Sequence, residues 1–292
     1  MTGIAGPRPQ PLTLTTGDGA ELAADHYPAG GAAYLVVAGA TATQQRHYRR
    51  FATWLQERGV DAVTVDYRGI GHSRRAPLTE LRQVGFAQWC HDDLGAAVAW
   101  AAERGPTWLV GHSLGGHALG RLPDPGLVRA AYAVGVGSGW SGWMPRAEAR
   151  RVEMFWRVLG PVGTAAFGYA PLSRFGMGED IPLQAYRDWK RWCALPRYFF
   201  DDPQAGGITR RFAEVRMPVA AAVATDDAWA PPASRDAFFS GFTAAEVDPI
   251  DLDPAELGTG PVGHMGYFRP AVGAALWPRI LAWFEARGLR RT

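Results

Sequence analysis

The feature that most constrains this chain is an alternation in its first half, where short continuous apolar runs give way repeatedly to amphipathic stretches. AYLVVAG (33–39) predicts a strand, YRRFATWLQERG (48–59) a helix and DAVTVDYRG (61–69) a second strand. FAQWCHDDLGAAVAWAAERG (86–105) then predicts a helix, and TWLVGHS (107–113) a strand running into another helical pattern. Unalternating apolar runs suit strands covered on both faces, and Gly59 and Gly105 close the intervening helices. The expected fold is therefore α/β: a mostly parallel sheet with helices on both faces and its working loops at the carboxyl ends of the strands.

Near residue 137 the rhythm stops. From there to 212 the chain is rich in Trp, Phe, Tyr, Gly and Pro, with helical pieces such as AEARRVEMFWRVLG and LQAYRDWKRWCALP. Core-like pattern returns at RMPVAAAVATDD (216–227), and ALWPRILAWFEARG (275–288) predicts a closing helix. The expected division is a core from 1–136 and 213–292, interrupted by a helical, aromatic-rich cap at 137–212.

Bulk properties narrow the function classes. A chain of 292 residues, 47% apolar and 20% charged, can bury a full core. A formal net charge of +2 with scattered basic residues gives no stripe for nucleic acid, which we set aside as a partner. Cys90 and Cys193 lack any CxxC spacing and predict buried free thiols. The leading MTGIAGPRPQPLTL has no signal-like pattern and no run approaches a membrane span, so the expectation is a cytoplasmic protein without a membrane partner. HExxH, EF-hand and Walker patterns are missing, and Gly135-Val136-Gly137-Ser138-Gly139 lacks both the opening helix and a third glycine at the spacing of a dinucleotide loop. No metal and no cofactor are expected.

The chemistry concentrates at Gly111-His112-Ser113-Leu114-Gly115-Gly116, between an apolar strand and a small-residue helix start. The bare G-x-S-x-G string would arise by chance in roughly one chain in ten of this glycine content, so its weight comes from that context. A serine on a sharp strand-to-helix turn needs small residues two positions to either side, and the turn lifts its hydroxyl clear of the sheet. Such a serine needs a base and then an acid to orient that base, following in the order serine, acid, histidine. Of seven histidines only His264 lies beyond residue 117, so it is the candidate base, while His72, His91, His112 and His117 are expected to be structural or surface residues. The acid is expected at the strand end carrying Asp226 and Asp227; Asp92-Asp93 and Asp201-Asp202 are expected to be surface or capping residues. For an oxyanion, one amide should come from Leu114 and another from the loop Ala38-Gly39-Ala40-Thr41.

With those residues in place, the chain resembles an α/β-hydrolase over nearly its whole length. VAGATAT, YRRFATWL, DYRGIGHS, GHSLGG, GEDIP, DDAWAPP and GHMGYFRP are similar to a bacterial branch of hydrolases and esterases. The resemblance implies Asp227 as the acid, because the family's aspartate stands four residues before a proline, here Pro231. Many relatives carry His-Gly where this chain has Ala38-Gly39, so Ala40 is assigned as the second oxyanion donor by position.

Three functions compete at this stage. One is hydrolysis of a carboxylic ester or thioester of a small apolar acyl substrate through an acyl-Ser113. A second is acyl transfer, or a lyase or cyclase reaction, using the same three residues. The third is a non-catalytic small-molecule binding module. Cap aromatics Trp140, Trp143, Trp156, Tyr169, Trp189, Trp192 and Tyr198 are candidates either for cap core or for a substrate pocket.

Overall fold

The computed structural model describes residues 8–292; the expectation drawn from the leading residues lies in part outside them. Eight strands form one sheet: β1 Gln10–Thr15, β2 Glu21–Tyr27, β3 Tyr34–Ala38, β4 Asp61–Val65, β5 Thr107–His112, β6 Val128–Val134, β7 Val219–Ala224 and β8 Val247–Leu252. They lie in the order β1-β2-β4-β3-β5-β6-β7-β8. β1 and β2 are antiparallel and the rest run parallel from β4 to β8. β3, β4, β5 and β7 are buried at every position, the physical reason that apolar residues dominate them, although β4 and β5 also bury Asp61, Thr64, Thr107 and His112.

Helices α1 Arg49–Gln56 and α8 Pro270–Glu285 cover one face, packing Phe51, Leu55, Leu276 and Phe284 against Leu35, Val37, Val110 and Tyr132. The other face receives α2 Leu94–Ala102, whose Leu94, Ala97, Val98 and Ala101 meet Val36, Leu109 and Ala131. α3 Leu114–His117 starts directly after β5. The helix expected over 86–105 begins as a π-helical turn at Gln88–Asp93. Asp93, at the end of that turn, is not the surface or capping residue expected: fully buried, it accepts from the Arg68 amide at 2.8 Å and from Arg68 Nε at 2.6 Å. Asp202 is likewise buried, accepting from Trp192 Nε1 at 3.0 Å.

The closing helix starts at Pro270, five residues earlier than its apolar pattern suggests, because proline fits the first helical position. It ends at Glu285, ahead of Gly288 at φ +89°. Between β6 and β7 lie α4 Arg146–Met154, a π-helical turn at Phe155–Leu159, α5 Gly160–Phe167, α6 Leu183–Cys193 and α7 Gly206–Ala213. α7 bridges the inserted segment and the core. Phe212 is fully buried between Phe199 and Phe238, and Arg211 Nε donates to the Gly120 carbonyl at 3.1 Å. No helix among the described residues is long and apolar enough to cross a membrane.

Candidate active site

Parallel register brings the carboxyl ends of the central strands together. Ala38 pairs with Gly111 and His112 with Val134, while the Ser113 amide donates to the Val134 carbonyl at 3.0 Å and the Gly135 amide to Ala222 at 3.0 Å. Loops 39–43, 112–114, 135–139 and 225–230 therefore open on one side of the sheet.

Ser113 sits at φ 50° and ψ −109°, a left-handed conformation that a non-glycine residue adopts at a cost of about 1–3 kcal/mol. The turn closes only because its neighbours are small. A Cβ on Gly115 would stand 2.3 Å from the Ala38 carbonyl oxygen, and one on Gly111 would stand 2.6 Å from the Gly116 amide nitrogen. Both obstacles are backbone, which cannot swing aside. Gly115→Ala is expected to lower stability by about 1–3 kcal/mol, an overpacking penalty, seen as a Tm lowered by several degrees in thermal unfolding. An unchanged Tm would mean that the turn has another way to relax.

Seen from Ser113 Oγ, the next polar group is His264 Nε2 at 3.2 Å. His264 Nδ1 lies 2.9 Å from Asp227 Oδ2. Asp227 is 1% exposed and accepts four hydrogen bonds: from His264, from the Trp229 and Ala230 amides at 3.0 and 2.9 Å, and from the Tyr267 hydroxyl at 3.1 Å. Burial alone would raise its pKa, but the histidine's charge and these donors outweigh burial and hold the carboxyl below its ordinary range. Asp226 faces elsewhere. Its two oxygens accept from the Val262 and Gly263 amides, each at 2.9 Å, so it anchors the loop that carries His264. The structure thus brings Ser113, His264 and Asp227 into one hydrogen-bonded row and leaves Asp226 outside it.

The two expected oxyanion donors differ. Leu114 opens α3, where a first-turn amide has no intrahelical acceptor. Ala40 does not present a free amide: its N–H donates to the Tyr48 hydroxyl at 2.7 Å, inside the core. This corrects the positional assignment. The next amides along the loop, those of Thr41 and Ala42, make no hydrogen bond to protein among the described residues.

Three residues around this row were not singled out from sequence. Tyr267 links the acid to the end of β7, accepting from the Ala224 amide at 2.9 Å. Trp229 stands two positions after Asp227, its ring 6.3 Å from His264 and 5.7 Å from Trp189. Trp156 packs 5.1 Å from Trp189 and is itself buried. Trp192 and Tyr198 pack with Phe199 in the same buried core, and Trp143 is exposed. The third residue is Tyr48, whose signal was only its place in YRRFATWL. Among the described residues, no three His, Cys, Asp or Glu side chains gather as a metal set.

The alpha/beta hydrolase family model matches residues 34–276. None of the curated proteins matches the chain. Among solved structures, DcsB in complex with its substrate analogue superposes with a TM-score of 0.64 at 16% identity, covering 96% of this chain and 100% of that one. The Pyrococcus furiosus esterase Pf2001 gives 0.62 at 13% identity, covering 96% and 91%. Est816, described as an N-acyl homoserine lactone degrading enzyme, gives 0.61 at 18% identity, covering 94% and 100%. At these identities the likeness is one of fold, and with the family match spanning most of the sequence it leads to one conclusion: the chain belongs to the alpha/beta hydrolase family.

Proposed function

We propose that this protein is a serine hydrolase that cleaves carboxylic esters or thioesters of small apolar acyl groups through an acyl-enzyme on Ser113. The observation that carries the proposal is the row Ser113 Oγ, His264 Nε2, His264 Nδ1, Asp227 Oδ2, with spacings of 3.2 and 2.9 Å. A serine hydroxyl is too weak an acid to attack unaided, and a neutral histidine held against it accepts the proton as the bond to the acyl carbon forms. Asp227, kept ionised, fixes the proton on Nδ1 so that Nε2 stays free to act, and it stabilises the imidazolium that results. His264 returns the proton to the departing alkoxide or thiolate. Water then attacks the acyl-Ser113 and gives its proton to His264, which passes it to Ser113 Oγ as the acyl–oxygen bond breaks, releasing the carboxylic acid and restoring the serine. The Leu114 amide, with the Thr41 or Ala42 amide from the facing loop, would receive the oxyanion.

The substrate class rests on the wall above His264. Half-buried Trp229 and Trp189 lead from the imidazole into the inserted helices, backed by the buried Trp156 and Phe155. An aromatic lining of this kind suits an apolar group of modest size. Similar folds described as an esterase and as an acyl homoserine lactone degrading enzyme are in line with it.

The test is a panel of acyl esters and thioesters of increasing chain length, with intact-mass detection of the protein during turnover. Hydrolysis of short apolar esters with a transient acyl mass on the protein is expected. An acyl adduct that is released only to an added alcohol or amine, never to water, would replace hydrolysis with acyl transfer. If esters neither turn over nor leave an adduct, and a fluorophosphonate fails to label the folded protein, the binding-module reading stands instead.

A further inference from the structure

His112 precedes the nucleophile and is fully buried, yet it takes no part in the proton path described above. Its Nε2 lies 2.8 Å from the main-chain carbonyl of His264, and its Nδ1 lies 3.0 Å from the Tyr48 hydroxyl. Tyr48, 1% exposed, in turn receives the Ala40 amide at 2.7 Å. Chemistry fixes the direction of every bond. A carbonyl can only accept, so the proton sits on His112 Nε2; Nδ1 is then bare and accepts from the Tyr48 O–H; the Tyr48 oxygen is left to accept from the Ala40 N–H. Burial, followed by the neighbouring His264, pushes the His112 pKa down to about 3, so the neutral form that this pattern needs is the one present.

The two ends of the chain and its inner link at His112 belong to the three loops that a serine hydrolase must hold in register. Ala40 lies on the oxyanion loop, His112 on the nucleophile turn and His264 on the loop of the base. The rings are locked by packing as well, with Phe268 4.8 Å from Tyr48 and 5.4 Å from His112. We propose that Tyr48 and His112 are positioning residues whose one-way hydrogen-bond chain, from the Ala40 amide to the His264 carbonyl, sets the distance between base and nucleophile. The proposal rests on the function proposed above. It also accounts for the occupied Ala40 amide: that N–H is the first link of the chain and not a donor to substrate.

Turnover, KM and the rate of fluorophosphonate labelling are to be measured on wild type, Tyr48→Phe, His112→Leu, His112→Gln and the double variant Tyr48→Phe/His112→Leu, with thermal unfolding as a check on folding. Displacing reacting groups by about an ångström costs on the order of a hundredfold, so each of Tyr48→Phe and His112→Leu is expected to lower kcat roughly ten- to hundredfold with KM little changed. Because both break the same chain, the double variant should lose no more than the worse single one. His112→Gln offers an N–H toward His264 and an oxygen toward Tyr48, and it should recover most of what leucine loses. Should His112→Leu fail to fold, Tyr48→Phe, which keeps the packed ring, and His112→Gln carry the test. Wild-type kcat and labelling rate in Tyr48→Phe, losses that multiply in the double variant, or glutamine no better than leucine would each overturn the chain. A wild type that neither turns over esters nor reacts with the probe would count against the proposed function instead.

Discussion

Ser113→Ala is expected to lower ester turnover by about a millionfold, to the level left by substrate binding and oxyanion stabilisation alone, because nucleophile and base act as a unit. The alanine fits the space, since the side chain removed is a hydroxyl facing His264 Nε2 at 3.2 Å and the backbone at φ 50° is already accommodated by the turn. Folding should therefore persist, and the melting curve should stay close to wild type. Fluorophosphonate labelling and the acyl mass adduct should both vanish. Undiminished turnover in the variant would mean that the bond is broken by a group other than this serine. Undiminished labelling with lost turnover would mean that the probe reports a different serine.

What could be read in advance follows the physics of burial. The central strands were legible because both faces are covered: YLVVA and VAAAVA are apolar throughout, and DAVTV is apolar but for Asp61 and Thr64. The sheet edges were not, for the opposite reason. β1, QPLTLT, and β2, ELAADHY, alternate only loosely, and β8, VDPIDL, carries a proline and two aspartates that only an edge strand tolerates. Ser113 and His264 stand out because glycine spacing and chain order are local properties. Tyr48 and His112 do not, since a hydrogen bond across 64 residues leaves no trace in either segment. The Ala40 assignment failed on the same ground: which amide of a loop is free depends on a tyrosine from the next helix. Asp93 was misplaced because the partner that lets a carboxylate be buried, Arg68, lies 25 residues away in the sequence.

Adjacent carboxylates make the sharpest test of the remaining machinery, because Asp226 and Asp227 are neighbours in sequence with different burial and different donors. In Asp227, Oδ1 is fixed by the Trp229 and Ala230 amides, which can only donate. An asparagine there must keep its carbonyl oxygen at that position, so its NH₂ falls where Oδ2 faces His264 Nδ1 at 2.9 Å. A donor against Nδ1 forces the imidazole proton onto Nε2, where it meets Ser113 and cannot accept the serine proton. Asp227→Asn is therefore expected to lower kcat roughly ten-thousandfold, with the fold intact. Asp226→Asn still offers an oxygen to the Val262 or Gly263 amide on an exposed loop, and its loss should stay within about tenfold. The pair also separates in stability. The folded-state pKa of Asp227 is depressed, so its stabilising contribution is present above the unfolded aspartate value of about 3.9 and is lost as pH falls through the folded value. The Tm gap between wild type and Asp227→Asn should accordingly narrow as pH drops from neutrality through that range. Near-wild-type turnover in Asp227→Asn, or equal damage from both substitutions in folded protein, would remove Asp227 from the role of acid and reopen the choice between the two.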